Sequence, residues 1–182
     1  MLTRLSVAWA RIELSLAALL AVGVTLLILL NVVTRSLNNA LFWVDEAAIY
    51  TMVWMTFLGA SAAIQSRQQV AITILTDPLP RGAKRVAAKL VDLAVFIFAC
   101  AMLYFCWRWY LPLTIIGTGF DTMAFQGATF NFIYAEPTST IGIQKWIIWL
   151  VMPLFSCGVF LHATAHLLDF TPPEATKAEV AT

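Results

Sequence analysis

Charge is what this chain has least of. Only 12% of its 182 residues are Asp, Glu, Lys or Arg, about half the share with which a soluble domain covers its surface. Water is therefore not its main solvent, and 61% of the chain is hydrophobic. With a net charge of +1 and no basic cluster interleaved with exposed aromatics, the chain offers nucleic acid no electrostatic footprint, so no such partner is expected. Cysteine is nearly as scarce. Cys100, Cys106 and Cys157 all lie in apolar stretches without Cys-x-x-Cys spacing, which reads as membrane packing and not as a redox couple or a metal site. The two histidines, His162 and His166, share one helix face, and no other helix carries a histidine that would complete a haem. With Cys157 more than a turn away, a zinc site lacks its partners, and the histidines read as interfacial packing or headgroup contacts. Ser-His-Asp, paired-carboxylate and phosphate-loop patterns are missing as well. Neither a cofactor nor an enzymatic activity is expected.

What the chain does have is four apolar runs, at residues 14–33, 43–65, 90–111 and 146–168. Each approaches or exceeds the roughly 20 helical residues that cross a bilayer. The first follows Arg4 and Arg11 in the manner of a secretory signal, yet it is longer than a signal's apolar region and more membrane follows, so it is expected to be retained. Ala17, Ala21 and Thr25 recur on it at every fourth position, and Gly59 and Ala63 repeat that spacing on the second run. Small side chains so spaced let another helix approach closely. A second stripe on the second run holds Glu46, Tyr50, Trp54, Phe57 and Ser61. Trp54 and Phe57 read equally as lipid-facing or packing aromatics and as specific contacts.

The connections differ in kind. Between the first two runs stand Arg35, Trp43, Asp45 and Glu46, with the carboxylates in the first turn of a helix, where its dipole favours them. Arg35, Asp45 and Glu46 pair with one another to fix a hairpin or face a docking protein, and Trp43 sits at interface depth. Residues 70–75 alternate, two prolines follow, and Arg81, Lys84, Arg85 and Lys89 then recur every few positions, which suits a short amphipathic segment at the headgroup level. Arg67, Arg108, Trp109 and Trp146 are expected as interfacial anchors. Residues 112–145 carry Phe120, Phe125, Phe130, Phe132 and Tyr134 with little charge, so they are expected to rest on the bilayer or on a partner. Pro153 allows a bend in the last run.

Placing both termini in the cytoplasm puts Arg4, Arg11, Arg67, Arg81, Lys84, Arg85, Lys89 and Lys177 inside, and only Arg35, Arg108 and Lys145 outside. The expected architecture is thus an all-α integral membrane domain over residues 1–170, with four transmembrane helices and a polar cytoplasmic tail at 171–182. Glu13, Asp92 and Arg108 fall near the expected interfaces, where snorkelling or a neighbouring Arg11 or Lys89 would satisfy them. No solute site of its own is visible in such a chain, which points to an accessory scaffold. A stand-alone four-helix membrane protein with a cryptic site, and a transporter built from several copies of this short chain, remain as alternatives.

The run Asn31, Val32, Val33, Thr34, Arg35, then Trp43, Val44, Asp45, Glu46, then Trp54 through Ala60 resembles the small membrane subunit of tripartite ATP-independent periplasmic (TRAP) transporters, the DctQ-like or Q subunit. The likeness continues through residues 67–72 and again at 141–146, with Gln69 where many members carry histidine and Gln144 where they often carry proline. It implies a bacterial inner-membrane protein in a three-part system. A periplasmic substrate-binding protein (the P subunit) captures an organic acid, and a large membrane subunit (the M subunit) carries it in with a sodium gradient. The small subunit braces the large one and helps dock the binding protein, with membrane lipids as its other neighbours. On that reading Arg35, Trp43, Asp45 and Glu46 are docking or hairpin candidates, and Trp54, Phe57, Gly59 and Ala63 are packing or subunit-interface candidates.

Overall fold

The computed structural model of the chain describes residues 1–66 and 80–168. Arg67, Gln69, the alternating run 70–75 and the tail from 169 onward lie outside the described residues. Four helices are long and apolar enough to cross a membrane, and the described residues contain no strand, only an isolated bridge between Pro137 and Gln144.

Helix α1 covers Leu2–Ser36, far longer than the expected span because nothing in residues 2–13 breaks a helix. It ends where Asn38 takes a left-handed conformation (φ 54°), which asparagine tolerates better than most residues. The amides of Leu37, Asn38 and Asn39 turn back onto carbonyls of the last turn. Helix α2, Phe42–Gln65, follows at once. Helix α3 is continuous from Arg81 to Tyr110 behind Pro80, so the basic stretch at Lys84 to Lys89 forms the first turns of the third span and is not set off from it. It stops because Leu111 adopts φ 42° and Pro112 opens the next helix, α4, Pro112–Gly117. Helix α5, Thr122–Thr129, is capped by Asp121, which accepts from the amides of Met123 and Ala124.

The last span is broken into α6, Lys145–Trp149, and α7, Val151–Leu168. The break falls where Pro153 lacks an amide and its ring crowds the carbonyl four residues back, at Trp149. Helix α7 is the centre of the bundle. It packs on α1, α2 and α3, and Val151, Phe155, Gly158, Val159, His162 and Ala163 on it are all buried. Phe155 and Val159 meet Ala99 of α3, with Phe57 and Ile64 of α2 around them.

The long connection builds a small core of its own from Ile115, Phe125 and Ile133, packed by Tyr110, Tyr134 and Trp146. The Tyr134 hydroxyl donates to the Tyr110 carbonyl at 2.6 Å, and burial pushes its pKa up. Only part of the aromatic set turns inward, since Phe120, Phe130 and Phe132 remain exposed.

Candidate functional site

Asn31 and Arg35 stand one helical turn apart near the end of α1, so both side chains reach the same point in space. That point is Asp45 in the first turn of α2. Asn31 Nδ2 donates to Asp45 Oδ1, Arg35 Nη2 donates to Asp45 Oδ2 at 2.5 Å, and Arg35 Nε donates to Asn31 Oδ1 at 2.8 Å. The next residue points elsewhere. The Glu46 carboxylate accepts from the amides of Ser139 (2.8 Å), Thr140 (2.6 Å) and Ile141 (3.2 Å), from the Thr140 hydroxyl (2.5 Å) and from the Tyr50 hydroxyl (2.9 Å). Three successive backbone amides around one carboxylate form a concave anion cradle. Two adjacent carboxylates therefore divide the work, since Asp45 closes the hairpin and Glu46 fastens it to the long connection.

At the opposite end of the bundle the structure buries charge that the sequence places near an interface. Glu13 is 1% exposed and His162 is 0% exposed. Glu13 Oε2 lies 3.0 Å from His162 Nε2, Trp9 Nε1 donates to Glu13 Oε1 at 2.9 Å, and Ser6 Oγ is 2.8 Å from His162 Nδ1. Ser6, Ala10, Glu13 and Ala17 make the buried stripe of α1. Of the expected stripe at Ala17, Ala21 and Thr25, Ala17 is buried within the chain, Ala21 is half-buried and Thr25 is exposed. His162 is thus a core residue and not a headgroup contact, and the partner of Glu13 is His162 and not Arg11. Gly158 makes the approach possible. A Cβ there would strike Glu13 Oε1 and would stand 2.7 Å from Ser61 Oγ and 3.1 Å from Trp9 Nε1. Ser61 Oγ itself is buried without a hydrogen-bond partner among the described residues. No group of three His, Cys, Asp or Glu side chains that could hold a metal gathers among the described residues.

Residues 24–171 match the protein family described as tripartite ATP-independent periplasmic transporters, DctQ component. The chain belongs to this family. A TRAP transporter small permease protein of Haemophilus influenzae is 31% identical over 74 residues, 40% of this chain and 46% of that protein. A C4-dicarboxylate TRAP transporter small permease protein, DctQ, of Vibrio cholerae is 26% identical over 102 residues, 56% of this chain and 44% of its own. The DctQ of Pseudomonas aeruginosa is 22% identical over 181 residues, 84% of this chain and 79% of its own. The matches thus span less than half the length of the first two relatives. No solved structure matches the chain.

In this DctQ component the other residues singled out from sequence fall in three places. Trp54 and Phe57 face the last span, where Trp54 Nε1 donates to the Ile148 carbonyl at 2.8 Å and Phe57 meets Phe155 edge-on with ring centroids 5.1 Å apart. Gly59 has nothing within 4 Å of where a Cβ would stand, so the close approach within the chain lies at Gly158 and not at Gly59, while Ala63 is half-buried. Trp43, Arg108 and Trp109 are exposed, while the Trp146 carbonyl accepts from the Tyr110 hydroxyl at 3.1 Å. Asp92, read as interfacial, is buried and lies 3.8 Å from Lys89. Sequence alone missed the Ser6, Trp9, Glu13 and His162 group. The available signal was Ser6, Glu13 and the small Ala10 and Ala17, spaced to share one face of α1.

Proposed function

We propose that this DctQ component braces the large membrane subunit of a TRAP transporter and helps form the outer surface on which the periplasmic substrate-binding protein docks, for sodium-driven uptake of an organic acid. It works in the bacterial inner membrane with both termini cytoplasmic, the orientation that the distribution of Lys and Arg favours. The Glu46 cradle carries the docking half of this reading. One carboxylate joins the α1–α2 hairpin to the 139–141 segment, so that two connections on the same end of the bundle move as one body, as a docking platform requires. The buried contact between α1 and α7 supports the bracing half, because it locks helices that would otherwise slide in lipid. The names of the Vibrio and Pseudomonas relatives make a C4-dicarboxylate the first solute to test.

The experiment is co-purification from native membranes followed by reconstitution. The chain is expected to elute with a much larger multispanning protein, and vesicles holding the pair are expected to take up solute only with a sodium gradient and the cognate binding protein. Uptake by vesicles that hold this chain alone would overturn the reading.

A further inference from the structure

The outer half of α3 and the start of the last span form an open-sided cavity of about 540 Å³, lined among others by Met102, Cys106, Arg108, Trp109, Trp149 and Met152. Met102, about 9 Å along the helix from Arg108 at 1.5 Å per residue, is the lining residue of α3 farthest in sequence from its outer end. The wall is apolar apart from the rim, where Arg108 occupies the last turn of α3. Among the described residues the carboxylates at this end are already engaged. Asp45 holds Arg35, Glu46 holds the 139–141 amides, Asp121 caps α5, and Glu136 lies 3.4 Å from Lys145. No ion pair reaches Arg108 among the described residues. A second groove of about 400 Å³ shares Trp109 and Trp149 with the first and adds Asn131 and the Glu136–Lys145 pair, so polar groups continue outward from the rim.

We propose that this cavity binds a phospholipid, with one acyl chain running down to Met102 between Trp109 and Trp149, and the headgroup phosphate on the Arg108 guanidinium. A cation at interface depth above an apolar shaft matches the amphipathic shape of a lipid, and guanidinium matches phosphate geometry. The two methionines of the lining, Met102 and Met152, adapt to a flexible chain. A second protein seated over the cavity would instead bury the Arg108 charge against its own surface, at a cost unless it supplied a carboxylate.

The test is native mass spectrometry of the detergent-extracted assembly, comparing wild type with Arg108→Gln and Met102→Trp. Helix content by circular dichroism confirms folding, and exposed Arg108 keeps at least one variant foldable. Wild type is expected to retain one phospholipid that Arg108→Gln loses about tenfold more readily, since a charge-assisted hydrogen bond is worth about that factor, and that Met102→Trp excludes by filling the shaft. Equal lipid retention in wild type and Arg108→Gln would overturn the proposal. So would a photoreactive residue at position 149 that captures a polypeptide and no lipid.

Discussion

Glu13 and His162, 149 positions apart in sequence, stand 3.0 Å apart in the interior of the bundle. Their contact fixes the register of α1 on α7 in a way that apolar packing alone does not. A Leu or Val surface can slide along another in lipid, whereas a carboxylate between Trp9 Nε1 and His162 Nε2 has one position that satisfies it. Removing one partner strands the other in an apolar interior.

A cycle on this pair should therefore be strongly non-additive. His162→Leu alone is expected to destabilise the chain by about 3 kcal/mol, whereas Glu13→Met with His162→Leu should recover most of that loss, because a buried pair is dispensable only as a pair. Thermal unfolding in detergent measures it. A double variant no more stable than the single one would show that the contact is incidental.

Gly158 and Gly59 should separate sharply. Gly158→Ala places a methyl group against Glu13 and Ser61 and is expected to cost about 1–3 kcal/mol by overpacking. Gly59→Ala has open space and should leave the isolated chain unchanged. If Gly59, one of the subunit-interface candidates, instead meets the large subunit, Gly59→Leu should reduce co-purification while the chain itself stays folded. Full recovery of the pair would remove Gly59 from the interface.

Glu46→Gln should loosen the 137–145 segment without unfolding the helices. The amide side chain keeps one acceptor but loses the charge that three amides and two hydroxyls converge on, so hydrogen exchange at Ser139, Thr140 and Ile141 should accelerate by about tenfold. The same variant should weaken stimulation by the binding protein more than it weakens co-purification with the large subunit. Unchanged exchange would mean that the cradle does not hold the connection.

The Arg35 to Asp45 bridge answers a different question. Its side chains are 58% and 43% exposed, so it is worth at most about 1 kcal/mol to stability. Exchanging the two charges, Arg35→Asp with Asp45→Arg, keeps the attraction but inverts the field that a docking protein meets. Uptake by the complete system is expected to survive if the pair serves only the hairpin, and to fall if it also contacts the binding protein.

Much of the architecture was legible along the chain because crossing a bilayer is a local property. Each run of about 20 apolar residues states its own solvent, and Asn38, Pro80, Pro112 and Pro153 mark their breaks through backbone chemistry that needs no neighbour. Arg35 and Asp45 could be paired for the same reason, since a short turn leaves them few other places to go. What hydropathy could not supply was which face of each helix turns inward, because lipid and protein interior are equally apolar to a leucine. Only the tertiary arrangement made α7 the central helix, turned His162 from an expected interfacial packing or headgroup residue into the partner of Glu13, and carried the 139–141 amides to Glu46 instead of leaving it with Arg35. Those contacts join residues 93 to 149 positions apart, and they depend on how whole helices rotate and stack, a quantity that no stretch of sequence carries by itself.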